Sequence, residues 1–326
     1  MTTSNDKTTG GDPTPATGPA AGHDGDRVSA ILLMMVAVTL FSGLDTAAKY
    51  LGQAYHMPVA QVSWSRFVVQ FVLLLLFVPV FGGIGARELF LTKGLKLQLL
   101  RSVLMAATTV FNFLALGYLR LDQTITITFL TPLVVALLAG PLLGEWVGWR
   151  RMVAILVGFL GVVLAINPAV GGFHPAIFYS FAAVAAYAGF ILLTRHMSGM
   201  DPPLVTLFYS MFVGTFFGAP VALVDWHAPP DLLAWLLLFS LGILGGVGHY
   251  LLLHAYRLAP ASAVAPFLYF QLLSMVAFGY VVFGQLPDAY TIAGAAVVVA
   301  SGIYLFHREH VTARAESALR RVHTPD

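Results

Sequence analysis

The 326-residue chain contains no cysteine, and this absence excludes several kinds of chemistry. A chain without thiols forms no disulfide, has no thiolate nucleophile and offers no cysteine ligand to a metal. Charged residues are also scarce, at 10% of the sequence, against roughly 25% in a typical soluble domain. This sequence therefore cannot supply the polar exterior that a water-soluble protein of its size needs.

Common catalytic motifs are missing as well. The sequence has no P-loop, no HExxH and no GxSxG, so ATP-driven pumping and the commoner hydrolase reactions have no residues to perform them. His249 and His254 are five residues apart, whereas helical metal ligands are typically four apart. No basic aromatic surface indicates nucleic-acid binding. We expect no catalytic residue, cofactor, metal or nucleic-acid partner.

Long apolar stretches make up most of the chain, with hydrophobic residues at 58% of the total. A helix needs about 20 residues to cross a hydrocarbon core, and helices satisfy their own backbone hydrogen bonds in lipid. A transmembrane barrel would instead need alternating segments of about 10 residues. The predicted fold is an all-α integral membrane protein with ten transmembrane helices: 28–51, 58–81, 95–119, 121–142, 148–167, 173–196, 203–224, 232–256, 258–283 and 287–306.

The positions of Lys and Arg predict the orientation of these spans, because cytoplasmic loops are enriched in positive charge. With a cytoplasmic N-terminus, the cytoplasmic side carries every Lys and Arg except Lys49, Arg66 and Arg120. In this count Arg101 belongs to a cytoplasmic connection. We expect a disordered cytoplasmic tail at 1–27, a second cytoplasmic tail at 307–326, and a monomer in the bacterial cytoplasmic membrane.

Two segments of the chain resemble each other. Residues 117–164 and 255–305 both pass from an aromatic-Arg-Leu start through an apolar span to a turn, which is Gly144–Glu145 in the first and Gly284–Gln285 in the second. Five helices per half is an odd number, so 28–167 and 173–306 are predicted to insert with opposite orientations. Inverted repeats of this kind are typical of carriers that alternate between two open states.

Three sequence features resemble the EamA branch of the drug/metabolite transporter superfamily: the block FLTPLVVALLAGPLLGEWVGWRRMVAILVGFLGVVL, Arg66 in WSRFVV and Lys49 in LDTAAKYL. The resemblance covers 28–306. It implies a ten-helix bundle of two inverted five-helix repeats, with a central cavity bordered mainly by the first, third, fourth, sixth, eighth and ninth spans. It also implies a small-molecule substrate such as an amino acid, a vitamin or a nucleoside-like solute.

The two halves are chemically unequal. Aligning Pro58 with Pro202 places Ser210 opposite Arg66, and Gln285 stands where the first half has Glu145. The sequence therefore predicts an intramembrane Arg in the first half only, so that the charged end of a substrate would bind against that half.

Charged residues within a span are functional candidates because their insertion is costly. Asp45 is at a depth similar to that of Arg66, and it is also four residues before Lys49, so that either cation is within its reach. One interpretation is a structural ion pair between the first two helices. The other is a carboxylate site on Arg66, with Asp45 as counter-ion or proton acceptor.

Uncharged polar residues complete the candidate site. Substrate binding is predicted for Arg66 and for a set of amide, hydroxyl and aromatic side chains: Asn112, Thr124, Thr128, Tyr187, Tyr250, Tyr269 and Gln271. The alternative for the threonines is hydrogen bonding to neighbouring helices, and the alternative for the aromatic residues is core packing or a place in the interfacial belt. Coupling or ion pairing is predicted for Asp45, Lys49, His249 and His254, and a proton relay is one hypothesis for the histidines. A gating or structural role is predicted for Glu145, Pro132 and Pro266.

These features favour a secondary active transporter for a small polar or amphipathic metabolite that works by alternating access. The alternative is a membrane-embedded enzyme or lipid-handling protein with a polar intramembrane site, and a channel is the third hypothesis. Substrate, direction and driving ion stay open at this point.

Overall fold

The computed structural model describes residues 24–81, 87–143, 148–166, 174–197, 199–259, 264–304 and 307, and every regular element within these ranges is helical. In chain order the helices are α1 (Asp24–Ala54), α2 (Val59–Phe81), a 3-10 turn (Glu88–Phe90), α3 (Leu95–Tyr118), α4 (Leu121–Thr128), α5 (Thr131–Leu143), α6 (Trp149–Ile166), α7 (Ile177–His196), α8 (Pro203–Phe216), α9 (Gly218–Val224), α10 (Leu232–Leu258), a second 3-10 turn (Ala265–Tyr269), α11 (Phe270–Phe283) and α12 (Ala289–Tyr304).

Eight spans in the described part of the chain are long and apolar enough to cross a membrane, and two shorter apolar helices, Met152–Ile166 and Ala289–Tyr304, accompany them. Large apolar side chains also point outward, as on α6, where Leu156 is 57% exposed and Leu160 is 65% exposed. Such a surface is stable against lipid and not against water. The prediction of an all-helical integral membrane protein with about ten helices is confirmed. The turn at Glu145 and most of both predicted tails lie outside the described residues.

Prolines interrupt two of the predicted spans. The span 121–142 breaks between α4 and α5, just before Pro132, whose ring clashes with the carbonyl four residues earlier and leaves it without a helical donor. That carbonyl belongs to Thr128, and it accepts a 2.6 Å hydrogen bond from the Thr131 hydroxyl. Pro220 has the same effect four residues after Phe216, where α8 ends.

Specific residues end or begin several helices. The Asp231 carboxylate accepts a hydrogen bond of 2.8 Å from the Ala234 N–H at the start of α10, and Asp288 accepts one of 2.7 Å from Thr291 at the start of α12. Gly284 ends α11 with φ 65°, a left-handed conformation that favours glycine. The Gly284–Gln285 turn therefore lies where the repeat pattern predicts it.

The first three helices pack mainly against helices of the second half of the chain. α1 packs along α10, α2 packs on α10 and α8, and α3 packs on α7 and α8. An aromatic cluster with Phe67, Phe71 and Phe208 fills the contact between α2 and α8. Because helices of both halves interleave, polar side chains from both halves reach the same interior space.

Candidate functional site

A cavity of about 160 Å³ lies within this bundle. Residues from α1, α2, α3, α4, α5, α7, α10 and α11 line it, and these helices include every span that the family resemblance implies. Its polar and charged lining residues are Asp45, Arg66, Thr108, Thr109, Asn112, Thr124, Thr128, Thr131, Tyr187, His249 and Gln271, and its apolar ones are Phe41, Leu44, Met105, Ile125, Ala183, Val184 and Met275.

Arg66 reaches the cavity from α2 and is only 7% exposed. One terminal nitrogen of its guanidinium donates a 2.9 Å hydrogen bond to the Thr109 hydroxyl, and the group lies 5.7 Å from the centre of the Phe67 ring. Its Nε atom is buried and has no hydrogen-bond partner among the described residues. A buried donor without an acceptor is costly, so Arg66 is suited to bind an acceptor that enters the cavity.

Asp45 faces the same cavity from α1. Its Oδ1 accepts a 3.0 Å hydrogen bond from the Asn112 amide on α3, and no direct ion pair joins it to Arg66 in the part of the chain that the structure describes. Lys49 points elsewhere, because its ammonium donates to the backbone carbonyls of Leu116 and Leu119 at the end of α3. The cavity therefore holds two oppositely charged side chains, each of which is hydrogen-bonded to a neutral partner.

The threonines of α4 form one polar wall of the cavity. The hydroxyl of Thr124 donates back to the Arg120 carbonyl at 3.0 Å, and that of Thr128 donates to the Thr124 carbonyl at 2.9 Å. Each hydroxyl uses its proton within the helix and keeps its oxygen as an acceptor. This wall can accept hydrogen bonds from a ligand without leaving a buried donor unpaired.

The second half contributes Tyr187, His249 and Gln271 to the cavity. His249 Nδ1 lies 2.8 Å from the carbonyl of Gly245, so Nδ1 carries the proton and Nε2 is the free nitrogen. The His249 ring meets Phe41 edge-on at 4.9 Å between centroids. These groups give the cavity a partly aromatic, hydrogen-bonding surface.

Some predicted site residues lie away from the cavity. Tyr250 is 66% exposed and stacks on His254 at 6.0 Å, while Tyr269 packs edge-on against Phe129 at 4.9 Å. Tyr250, His254 and Tyr269 are not among the residues that line the cavity. Pro266 belongs to the 3-10 turn before α11, and its side chain is exposed.

The sequence reasoning missed Thr108 and Thr109, which line the cavity on the α3 face of Asn112. Thr109 and Thr108 precede Asn112 by three and four residues, and this spacing, which puts all three on one helix face, could have predicted them. It also misplaced Arg101, which is 5% exposed and lies six residues inside α3 instead of in a connection. Its place near a predicted span end made it resemble a loop charge.

Comparison with known proteins identifies the family. A model described as the EamA-like transporter family matches residues 28–167 and, a second time, residues 174–307. The chain belongs to the EamA-like transporter family. It is a membrane transporter of small metabolites, and the enzyme or lipid-handling alternative is not favoured.

Curated relatives match most of the chain and nearly all of their own length. A riboflavin transporter of Vibrio cholerae is 29% identical over 87% of this chain and 95% of its own. An S-adenosylmethionine uptake transporter of Rickettsia prowazekii is 27% identical over 86% of this chain and 94% of its own. A pseudopaline exporter of Pseudomonas aeruginosa is 26% identical over 85% of this chain and 95% of its own. These relatives are bacterial, in agreement with a bacterial inner-membrane protein.

A solved structure shares the fold. A protein crystal structure covers 91% of this chain and all of its own chain, with a TM-score of 0.59 and 17% sequence identity. At this identity the likeness supports the arrangement of helices and not the substrate.

Proposed function

We propose that this transporter carries a zwitterionic metabolite with an α-amino-acid group and that it works by alternating access. The observation that carries the proposal is the presence of Asp45 and Arg66 in one cavity without a direct ion pair. Buried opposite charges are stable when each has an ionic or strongly hydrogen-bonding partner. A ligand with a carboxylate and an ammonium group supplies both partners at once.

The carboxylate of such a ligand would bind Arg66. The guanidinium presents its donors in a planar fork that matches two carboxylate oxygens, and the Nε atom is unpaired among the described residues. Gly245 faces this atom, and a Cβ added there would lie 3.6 Å from Nε. A Cβ at this distance would be in ordinary van der Waals contact with the guanidinium.

The ammonium of the ligand would bind Asp45. Asn112 occupies Oδ1 of the carboxylate, so that Oδ2 is directed to the ligand. The threonine wall of α4 accepts further hydrogen bonds, and Tyr187 with His249 provides ring faces and edges for an apolar or heteroaromatic part.

Among the substrates that the relatives' names give, S-adenosylmethionine fits this lining better than riboflavin. S-adenosylmethionine has an amino-acid end, a sulfonium cation and a planar adenine, so it matches Arg66, Asp45 and the aromatic wall. Riboflavin has a planar ring system but no fixed charge, and its binding would leave Asp45 and Arg66 without ionic partners. We therefore propose an S-adenosylmethionine-like solute.

Counterflow in proteoliposomes tests this assignment. Vesicles preloaded with unlabelled S-adenosylmethionine should accumulate external labelled S-adenosylmethionine with saturable kinetics, and excess riboflavin should compete at least ten times less well than the unlabelled solute. Rapid labelled riboflavin counterflow with no S-adenosylmethionine counterflow would contradict the proposal. Recovery of the solute unchanged by mass spectrometry would support transport without chemical conversion.

Proton coupling is a further part of the proposal, supported by Asp45 and His249, which both line the cavity. Accumulation against a concentration gradient should then respond to an imposed pH gradient. Uptake that is unchanged when a protonophore collapses the gradient would contradict coupling.

We also propose a monomer with both termini in the cytoplasm. The Lys and Arg distribution supports this orientation, and an odd number of helices per repeat would then give the two family-model matches opposite orientations. Because the chain has no cysteine, a single cysteine introduced into either tail reports its side directly. Labelling of a tail cysteine in intact cells by an impermeant maleimide would contradict the orientation.

A further inference from the structure

Ser210 is bound by a guanidinium although it replaces an arginine in the repeat. It follows Pro202 by eight residues, as Arg66 follows Pro58. Its hydroxyl accepts a 2.8 Å hydrogen bond from a terminal nitrogen of Arg101 on α3. A guanidinium from α3, in the first half of the chain, therefore lies beside the position of the second half that is equivalent to Arg66.

Arg101 has only neutral partners in the described part of the chain. Besides Ser210 it donates to the Thr194 hydroxyl at 2.8 Å and to the Thr206 carbonyl at 2.9 Å. Its guanidinium lies 4.7 Å from the centre of the Phe190 ring. Like Arg66, it is a buried cation whose hydrogen-bond acceptors carry no full charge, and a carboxylate would be a stronger acceptor than any of them.

A single face of α3 connects Arg101 to the cavity. Met105 lies one helical turn from Arg101, and Thr108 and Asn112 continue the same face at three- and four-residue spacing. Met105, Thr108 and Asn112 all line the cavity. Met105 is therefore the lining residue that lies next to Arg101 on this face.

Aromatic rings form a second connection between the two sites. Tyr187 lines the cavity and stacks on Phe190 with 6.0 Å between ring centres and 12° between planes. Phe190 in turn contacts Arg101. A solute with a planar ring that leaves the cavity in this direction would meet ring faces before it meets the second guanidinium.

We propose that Arg101 is a second carboxylate-binding station for the transported solute, used on the cytoplasmic side, while Arg66 serves the central cavity. The inference rests on the proposed zwitterionic substrate and on a cytoplasmic N-terminus. When the halves move relative to each other, α3 separates from α8, and the substrate carboxylate takes the place of Thr206 and Ser210 on Arg101. The first half of the chain thus provides both guanidiniums, and Arg101 is the one that is hydrogen-bonded to α8 of the second half. The solute passes from one guanidinium to the other.

Transport measured separately from each membrane face tests the second station. Labelled S-adenosylmethionine is supplied to right-side-out and to inside-out vesicles that contain the wild type, Arg101→Gln or Lys96→Gln. Lys96 is exposed on the same helix, so Lys96→Gln is a matched loss of charge. We expect Arg101→Gln to raise the KM from the cytoplasmic face roughly tenfold or more, with less than a twofold change from the outer face, and Lys96→Gln to change neither.

A decarboxylated analogue provides the chemical control. Its KM from the cytoplasmic face should be the same in the wild type and in Arg101→Gln, because it lacks the group that Arg101 binds. The inference would be overturned if Arg101→Gln changed the KM equally from both faces, or if it raised the KM of the analogue as much as that of the zwitterion. Either result would assign Arg101 a structural role. If Arg101→Gln does not fold, Arg101→Lys keeps the charge without the planar fork, and a KM equal to that of the wild type at the cytoplasmic face overturns the inference equally.

The wild-type vesicles separate this inference from the proposed function. Wild-type uptake of the zwitterion with no face-specific effect of Arg101→Gln would overturn the second station alone. Absence of zwitterion uptake by the wild type from either face would overturn both proposals.

Discussion

The Asn112 amide donates a 3.0 Å hydrogen bond to Oδ1 of Asp45 and thereby joins α3 to α1 at the wall of the cavity. This bond fixes the rotation of the carboxylate, because the amide approaches from one side only. The amide is a neutral donor, so this hydrogen bond adds no positive charge beside Asp45. In the proposed binding mode, this carboxylate accepts the ammonium group of the ligand.

Asp45→Asn removes this charge with almost no change in shape. We expect the KM for S-adenosylmethionine to rise at least tenfold, since a charge-assisted hydrogen bond contributes about 1.5–3 kcal/mol. Asp225→Asn is the matched control, because Asp225 is 69% exposed at its side chain and lies outside the cavity. Counterflow kinetics in proteoliposomes measure both. An unchanged KM in Asp45→Asn would contradict ammonium binding at this residue.

Arg66→Lys separates charge from geometry at the other end of the proposed substrate. A lysine keeps the positive charge but cannot form two parallel hydrogen bonds to one carboxylate. We expect a KM increase of roughly tenfold for Arg66→Lys and a larger one for Arg66→Gln. Arg257→Gln, at the exposed end of α10, is the control for loss of an arginine. Equal kinetics for Arg66→Lys and the wild type would show that the planar fork is not used.

The sequence predicted the central charged residues through an argument about depth. Counting residues from the helix ends placed Asp45 and Arg66 at one level, and both line the cavity. It could not predict their partners, because hydrogen bonding to Asn112 and Thr109 depends on helix rotation and side-chain torsions. The break before Pro132 was more predictable, since it follows from backbone chemistry alone. The break before Pro220 was not predicted.

Helix orientation in lipid explains why other site predictions differ from the structure. A lipid-facing side chain and a core side chain are both apolar, so periodicity gives little information about which face points inward. Tyr250 is thus 66% exposed although His249 beside it lines the cavity. The position of Arg101 was missed because the charge count assumes that a positive residue near the end of a span is in water. In the structure Arg101 is buried and donates hydrogen bonds to neutral acceptors on α7 and α8.

Gly294→Ala should disrupt the contact between α6 and α12. A Cβ on Gly294 would lie 2.4 Å from the Gly161 carbonyl oxygen and 2.4 Å from the Ala165 nitrogen, and backbone atoms cannot move aside cheaply. Overpacking of this kind costs about 1–3 kcal/mol. We expect a lower thermal unfolding temperature in detergent. Gly117→Ala is the control, because a Cβ there meets nothing within 4 Å and an alanine favours the helix. Equal unfolding temperatures for the two variants would contradict the close helix contact.

Asp201 ties the segment before α8 to the start of α3, and this contact should depend on pH. Burial alone would raise the pKa of Asp201, but hydrogen bonds from the Thr92 hydroxyl, the Lys93 N–H and the Gln98 amide outweigh it and lower the pKa below 3.8. The folded state thus favours the ionised form. The resulting stabilisation is fully present above the unfolded pKa of about 3.9 and is lost as pH falls through the lower folded pKa.

Asp201→Asn tests this pH dependence. At pH 7 the variant should unfold a few degrees below the wild type, because an amide is a weaker acceptor for the three donors. The difference should narrow below about pH 4, because the unfolded wild type binds a proton there before the folded state does and the stabilisation by the carboxylate falls. Melting curves followed by intrinsic fluorescence in detergent measure the unfolding temperatures of the wild type and the variant at each pH. Asp225→Asn, at an exposed position, is the control. A difference that stays constant between pH 7 and pH 3 would show that the negative charge of Asp201 does not stabilise the fold.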